Sequence, residues 1–113
     1  MILDANAISA LFEGNAKLES VLSDAARHEL PVIALGEYRY GIEGSRDRAK
    51  LALLLDQLEA VSDILFIDSV TAKIYAEIRR ELKAAGRPIP ENDIWIAALA
   101  RQHEFPVVSR DSH

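Results

Sequence analysis

Short apolar runs alternate with longer segments of helical period along the whole chain, and this alternation constrains the fold more than any other feature. The short runs are "MIL", "PVIA", "ILFI" and "PVVS". The segments between them place apolar residues at helical spacing. In "SVTAKIYAEIRRELKAAG", Val70, Ile74, Ile78 and Leu82 step by four along one stripe, and Gly86 supplies the stop. Helices are also expected over "ANAISALFEG", "AKLESVLSDAARHEL", "LGEYRYGIEG", "SRDRAKLALLLDQLEAVS" (with Ser45 as N-cap) and "ENDIWIAALARQHE". Four strand candidates separated by helices predict parallel βαβ units, with the sheet buried on both faces. There is no linker, repeat or low-complexity stretch, so residues 1–113 are expected to form one domain.

In open parallel sheets, ligand sites lie beyond the carboxyl ends of the strands. Asp4 follows the first strand candidate and Asp111 follows the fourth. If those strands are neighbours, their carboxylates meet at one edge. Glu37 comes shortly after "PVIA", in the first turn or so of the following helix. Asp93 lies in the first turns of the helix that leads into "PVVS". Read alone, that helix has its N-terminus at the other end of the sheet unless the preceding loop brings it round, so spacing does not by itself carry Asp93 to the other acids.

Clustered carboxylates repel, so they bind protons or a cation between them. Mg²⁺ and Mn²⁺ take oxygen ligands of this kind and can turn a bound water into a nucleophile against a phosphodiester. The chain has no cysteine, and its histidines (His28, His103, His113) are scattered, which disfavours zinc. Each acid also has a plain structural role open to it. Asp4 can cap the first helix, and Asp93 sits where a helix dipole favours a negative charge. Glu37 can be an ordinary helix residue, and Asp111 a tail residue. Asn6 and Asn92 suit helix starts or turns. Tyr38 and Tyr40 flank Arg39 close to Glu37 and suit helix packing, a dimer contact or stacking on bases. Trp95 and Phe105 suit a core or an interface.

The stretches "ILDANAISALFEG", "VIALGEYRYGI" and "PIPENDIWIAALARQHEFPVVSRD", in that order, resemble the PIN-domain ribonucleases, especially the VapC-type toxins of prokaryotic toxin–antitoxin pairs. The resemblance spans nearly the whole chain. It implies a three-layer α/β/α fold around a parallel sheet and Mg²⁺- or Mn²⁺-dependent cleavage of RNA to a 5′-phosphate and a 3′-hydroxyl. Asp4, Glu37, Asp93 and Asp111 match the family's four acids, which places Asp93 at the carboxyl edge by analogy. Asn6 matches a polar residue beside the site, and Ser109 a hydroxyl residue preceding the last acid. A homodimer and an inhibiting antitoxin are implied as partners. The family continues past this point with another helix and often a short strand, whereas the chain stops at His113, two residues after Asp111. The resemblance therefore predicts a missing C-terminal element and Asp111 on a free tail.

Other functions fit parts of the pattern. A PIN-like module that holds RNA or a protein without cutting is the main alternative. A receiver-like signalling domain also gathers acids around Mg²⁺, and Asp68 after "ILFI" could be its phosphoacceptor. No Lys follows "PVVS", however, and Asp68 with Ser69 reads as a helix cap. Half the residues are hydrophobic, which excludes a disordered chain. The net charge of −5 argues mildly against nucleic acid, but becomes nearly neutral if four acids sit on a metal. Arg39, Arg46, Arg48, Lys50, Lys73, Arg79, Arg80, Lys83 and Arg87 crowd the middle of the chain, interleaved with acids as on solvated helix faces. No apolar run reaches a membrane span and no signal peptide is apparent, so a soluble cytoplasmic protein is expected.

Overall fold

The structure, a computed structural model, describes residues 1–14 and 28–108. Its elements run β1 (Ile2–Leu3), α1 (Ala5–Phe12), β2 (Glu29–Pro31), α2 (Val32–Gly41), α3 (Arg48–Ala60), β3 (Asp63–Leu65), α4 (Ser69–Ala84), α5 (Glu91–His103) and β4 (Val107–Val108). The four strands form one sheet in the order β3-β2-β1-β4, and every pairing is parallel. This is the α/β architecture that the alternating pattern predicts. The expected helix over "AKLESVLSDAARHEL" falls largely outside the described residues.

β1 and β4 are neighbours, in register Ile2 to Val107 and Leu3 to Val108. Ile2 and Leu3 are fully buried, as a strand covered on both faces requires. Around them gather Ala7 and Ile8 of α1, Leu30 of β2, Ala34, Leu35 and Tyr38 of α2, Leu55 of α3 and Ile96 of α5. A second cluster joins Ile78 of α4 to Ile94 and Ala98 of α5. α5 is thus buried on two sides. Its small alanines let it lie close to both neighbours.

The second strand differs from expectation. "PVIA" does not form it: the strand ends at Pro31, and Val32 and Ile33 already belong to α2. Pro31 lacks the N–H needed to continue a ladder, and its φ of −63° suits the residue that precedes a helix. The buried residues Ala34, Leu35, Tyr38 and Ile42 then follow a helical period, not a period of two. The third strand is likewise earlier than "ILFI", at Asp63–Leu65. Glu29, buried in β2, accepts the Met1 amino group at 2.6 Å.

Local chemistry fixes the helix ends. Asp68 and Thr71 form a capping box at the start of α4, and the buried Thr71 hydroxyl also bonds Gln102 of α5. Asp68 is therefore a helix cap, as its place beside Ser69 predicts. With β3 at the sheet edge, no central strand presents Asp68 as a receiver would. Ser45 does not cap α3. Asp47 occupies that position, and the Ser45 hydroxyl accepts the Asp47 N–H at 3.1 Å. Arg39, expected on a solvated face, instead ties α2 to α3 through Asp56 at 2.8 Å and Glu59 at 2.9 Å. α4 ends in a Schellman turn: Arg87 N–H donates to the Leu82 carbonyl and Gly86 N–H to the Lys83 carbonyl. Gly86 has φ +65°, a conformation that strains any L side chain. Among the described residues, no helix is long and apolar enough to cross a membrane.

Candidate active site at the carboxyl edge of the sheet

Asp4 leaves β1 and enters α1. Its Oδ1 accepts the Ala7 N–H at 2.8 Å, so it is the N-cap of α1 as well as an acid at the strand end. It is 8% exposed, which fixes the carboxylate against the protein instead of leaving it in water.

Glu37 is half-buried at the sixth position of α2, a turn further along the helix than the sequence suggests, because α2 begins at Val32. Burial pushes its carboxyl above the ordinary value of 4.5, and a hydrogen bond from the Asn92 side chain pulls it back. The negative charges of Asp93 and then Asp4 push it up further. Elements from three separate parts of the chain therefore bring Asp4 and Asp93 within electrostatic reach of Glu37.

Asp93 stands in the first turn of α5, where its N–H donates to the Pro90 carbonyl at 3.0 Å. The helix start is on the same side as the strand ends, whereas the sequence read alone puts it at the far end of the sheet. The reason is direction. In a parallel sheet a crossover helix runs against the strands, so the helix leading into β4 begins where the strands finish. Asn92, expected only as a cap or turn residue, reaches Glu37 from the same turn. The sequence does not reveal this bond, and its only signal is the place of Asn92 beside Asp93. Asn6 is exposed in the first turn of α1. Ser109 and Asp111 lie outside the described residues.

The assembled donors are carboxylate and amide oxygens, which suit a hard divalent cation. Among the described residues, no three acids or histidines stand close enough to share one ion. The donor chemistry fits Mg²⁺ or Mn²⁺.

Tyr38 is buried edge-on against Phe12, with ring centroids 5.6 Å apart, and so serves packing. Tyr40 is 82% exposed. Trp95 stacks on Tyr75 at 4.0 Å between α5 and α4, and Phe105 lies against His103.

A parallel sheet with acids gathered at its carboxyl edge is the arrangement of a PIN domain, and the PIN domain profile matches residues 1–113. The chain belongs to the PIN domain family. Ribonuclease VapC5 of Mycobacterium tuberculosis is 32% identical over 112 residues, covering 97% of this chain and 82% of that protein. Toxin FitB of Neisseria gonorrhoeae is 31% identical over 122 residues, covering 99% of this chain and 88% of that protein. The crystal structure of FitAcB from Neisseria gonorrhoeae superposes with a TM-score of 0.84 at 30% identity, over 97% of this chain and 86% of that chain. VapBC2 from Rickettsia felis, solved with a promoter DNA fragment, gives a TM-score of 0.83 at 23% identity, over 97% of this chain and 86% of that chain, a likeness of fold.

Proposed function

We propose that the protein is an endoribonuclease toxin that uses Mg²⁺ or Mn²⁺ to hydrolyse phosphodiester bonds in RNA and is held inactive by a cognate antitoxin. The observation that carries this is the convergence of Asp93 and Asp4 on Glu37, whose carboxyl is raised first by burial and then by those two charges. Asp4, Glu37, Asp93 and Asp111 would hold the cation, with Asn6 and Ser109 beside it. When bound, such an ion lowers the pKa of water and neutralises charge building on the phosphate. The protein's own part is positioning. Asp4 is locked by its cap bond and Glu37 by Asn92. A carboxylate whose affinity for protons is raised is also a better acceptor for the proton of an attacking water.

The names of the relatives support the ribonuclease and the toxin reading, and the FitAcB and VapBC structures support an antitoxin partner. A homodimer and a cytoplasmic site of action complete the proposal. The direct test is incubation of single-stranded RNA with the protein and Mn²⁺. Fragments carrying 5′-phosphates should form, and a chelator should stop them. RNA left intact under these conditions refutes the reading. The second reading is a PIN-like module that binds RNA or protein without cutting. It is favoured by one observation: no three described acids share an ion-binding distance. Binding of the RNA without Mn²⁺-stimulated cleavage would establish it.

Glu37 gives a pH signature. Its folded carboxyl binds protons more tightly than its ordinary value of 4.5. The folded state therefore loses stability as pH rises from 4.5 through the raised folded value, and the penalty is complete above it. Without metal, Glu37→Gln should melt higher than the parent at neutral pH, and the two curves should merge below pH 4.5. Adding Mn²⁺ should reverse the order, because the cation binds more tightly to the chain that keeps all the carboxylates and so stabilises it more. Thermal melts across pH, with and without Mn²⁺, check this. A metal-free Glu37→Gln that melts lower than the parent at neutral pH contradicts it.

A further inference from the structure

A cleft of about 530 Å³ opens where α4 ends and α5 begins. Leu82, Ile89 and Ile94 supply apolar lining, and Ile94 is nearly fully buried. Arg79, Lys83 and Arg87 supply positive charge, against the single acid Glu91. Arg79 and Glu91 are occupied with each other at 3.5 Å and share the Tyr75 hydroxyl. Lys83 and Arg87 are exposed and make no ion pair among the described residues. In a chain of net charge −5, two uncommitted cations over an apolar pocket stand out. The Schellman turn at Gly86 is what sets Arg87 beside Lys83.

The cleft and the acidic site draw on the same turn of α5. Glu91 and Ile94, three residues apart on one face of α5, line the cleft. Asn92 and Asp93, in the same turn, act on Glu37. The first turn of α5 therefore carries residues of the cationic apolar pocket and residues of the acidic site side by side. The volume lies within the range of small-ligand sites, about 300–1,000 Å³.

We propose that this cleft holds a nucleotide of the RNA strand next to the one that is cut, with the base against Leu82, Ile89 and Ile94 and the phosphates against Lys83 and Arg87. It thereby sets which base context is cleaved. This deepens the ribonuclease reading and rests on it. The charge favours a polyanion, and an apolar lining next to a phosphate-cutting site favours a base over an acidic peptide.

The test uses the full chain and two readouts. The first is binding of a short fluorescein-labelled single-stranded RNA in chelator, where no cutting occurs. The second is Mn²⁺-dependent cleavage of an RNA with mixed base contexts. The double variant Lys83→Glu/Arg87→Glu changes only exposed side chains, so it should fold. It should weaken binding at least about tenfold and flatten the slope of log K against log salt by about 0.7 for each phosphate that is no longer neutralised. Leu82→Trp, which fills the floor, should shift the preferred cleavage context while the salt slope stays. The double variant Arg46→Glu/Lys50→Glu, at two exposed cations away from the cleft, makes the same change in net charge and should change neither.

Unchanged binding and cleavage in the double variant overturns the cleft while leaving the nuclease standing. Equal losses in Arg46→Glu/Lys50→Glu overturn it too, because they reduce the effect to net charge. Capture of a poly-glutamate peptide by the parent without RNA binding assigns the cleft to a protein partner and overturns the proposal. Failure of the nuclease itself is seen separately, as a parent that binds the RNA and never cuts it.

Discussion

Asp4→Asn and Asp93→Asn should each reduce Mn²⁺-dependent RNA cleavage by at least about a hundredfold, the loss typical of removing one key electrostatic group from a site, while the protein stays folded. The choice of Asn matters most at Asp4. Its Oδ1 caps α1 through the Ala7 N–H, and an Asn oxygen can accept the same bond. Asp4→Asn thus removes the charge and keeps the cap. Asp4→Ala removes both and costs about 1 kcal/mol of helix capping besides, so its lost activity would mix two causes. Asp93→Asn likewise keeps a side chain of the same shape at the start of α5. Cleavage rates, with circular dichroism on the same samples, decide the matter. If both folded Asn variants cut RNA at the parental rate, the acids are structural and the proposed function falls.

Leu30→Ala should be the most damaging change to the fold. Leu30 is fully buried in β2, which is paired on both sides by β1 and β3. Such truncations cost about 2–5 kcal/mol because the cavity only partly collapses. Against a total stability of about 5–15 kcal/mol for a native protein, that loss is large enough to lower the melting temperature by many degrees or prevent purification. Chemical denaturation should show a lower midpoint, and an unchanged midpoint would mean that the core around β2 is not as close-packed as its burial implies.

The order of elements is legible in the sequence, and so are the acids. Helical stretches announce themselves by period and by stop residues, and Gly86 ends α4 as its position predicts. Strands of two or three residues are harder to place, because so short a run carries no period of its own. At "PVIA", the β-branched Val32 and Ile33 look like a strand, while the steric and hydrogen-bonding limits of Pro31 set the boundary one residue before them. That shift moves Glu37 a turn along its helix. Asp93 is harder to place for a different reason: the residue is recognisable, but its position depends on the direction in which its helix runs around the sheet. The Asn92 bond to Glu37 depends on two helices meeting, which no local pattern encodes.

The junction at Pro31 has a further consequence. β2 passes into α2 with no loop between them, so the chain from Leu30 to Glu37 has no slack. Inserting one residue there would turn Glu37 by about 100° around the helix axis, away from Asp4 and Asp93. A like insertion between α2 and α3, among the exposed residues 43–47, would be absorbed by the turn. Sequence drift in this protein is therefore free to change length on the rim of the fold and is held to a fixed length where the sheet hands its edge to the second acid.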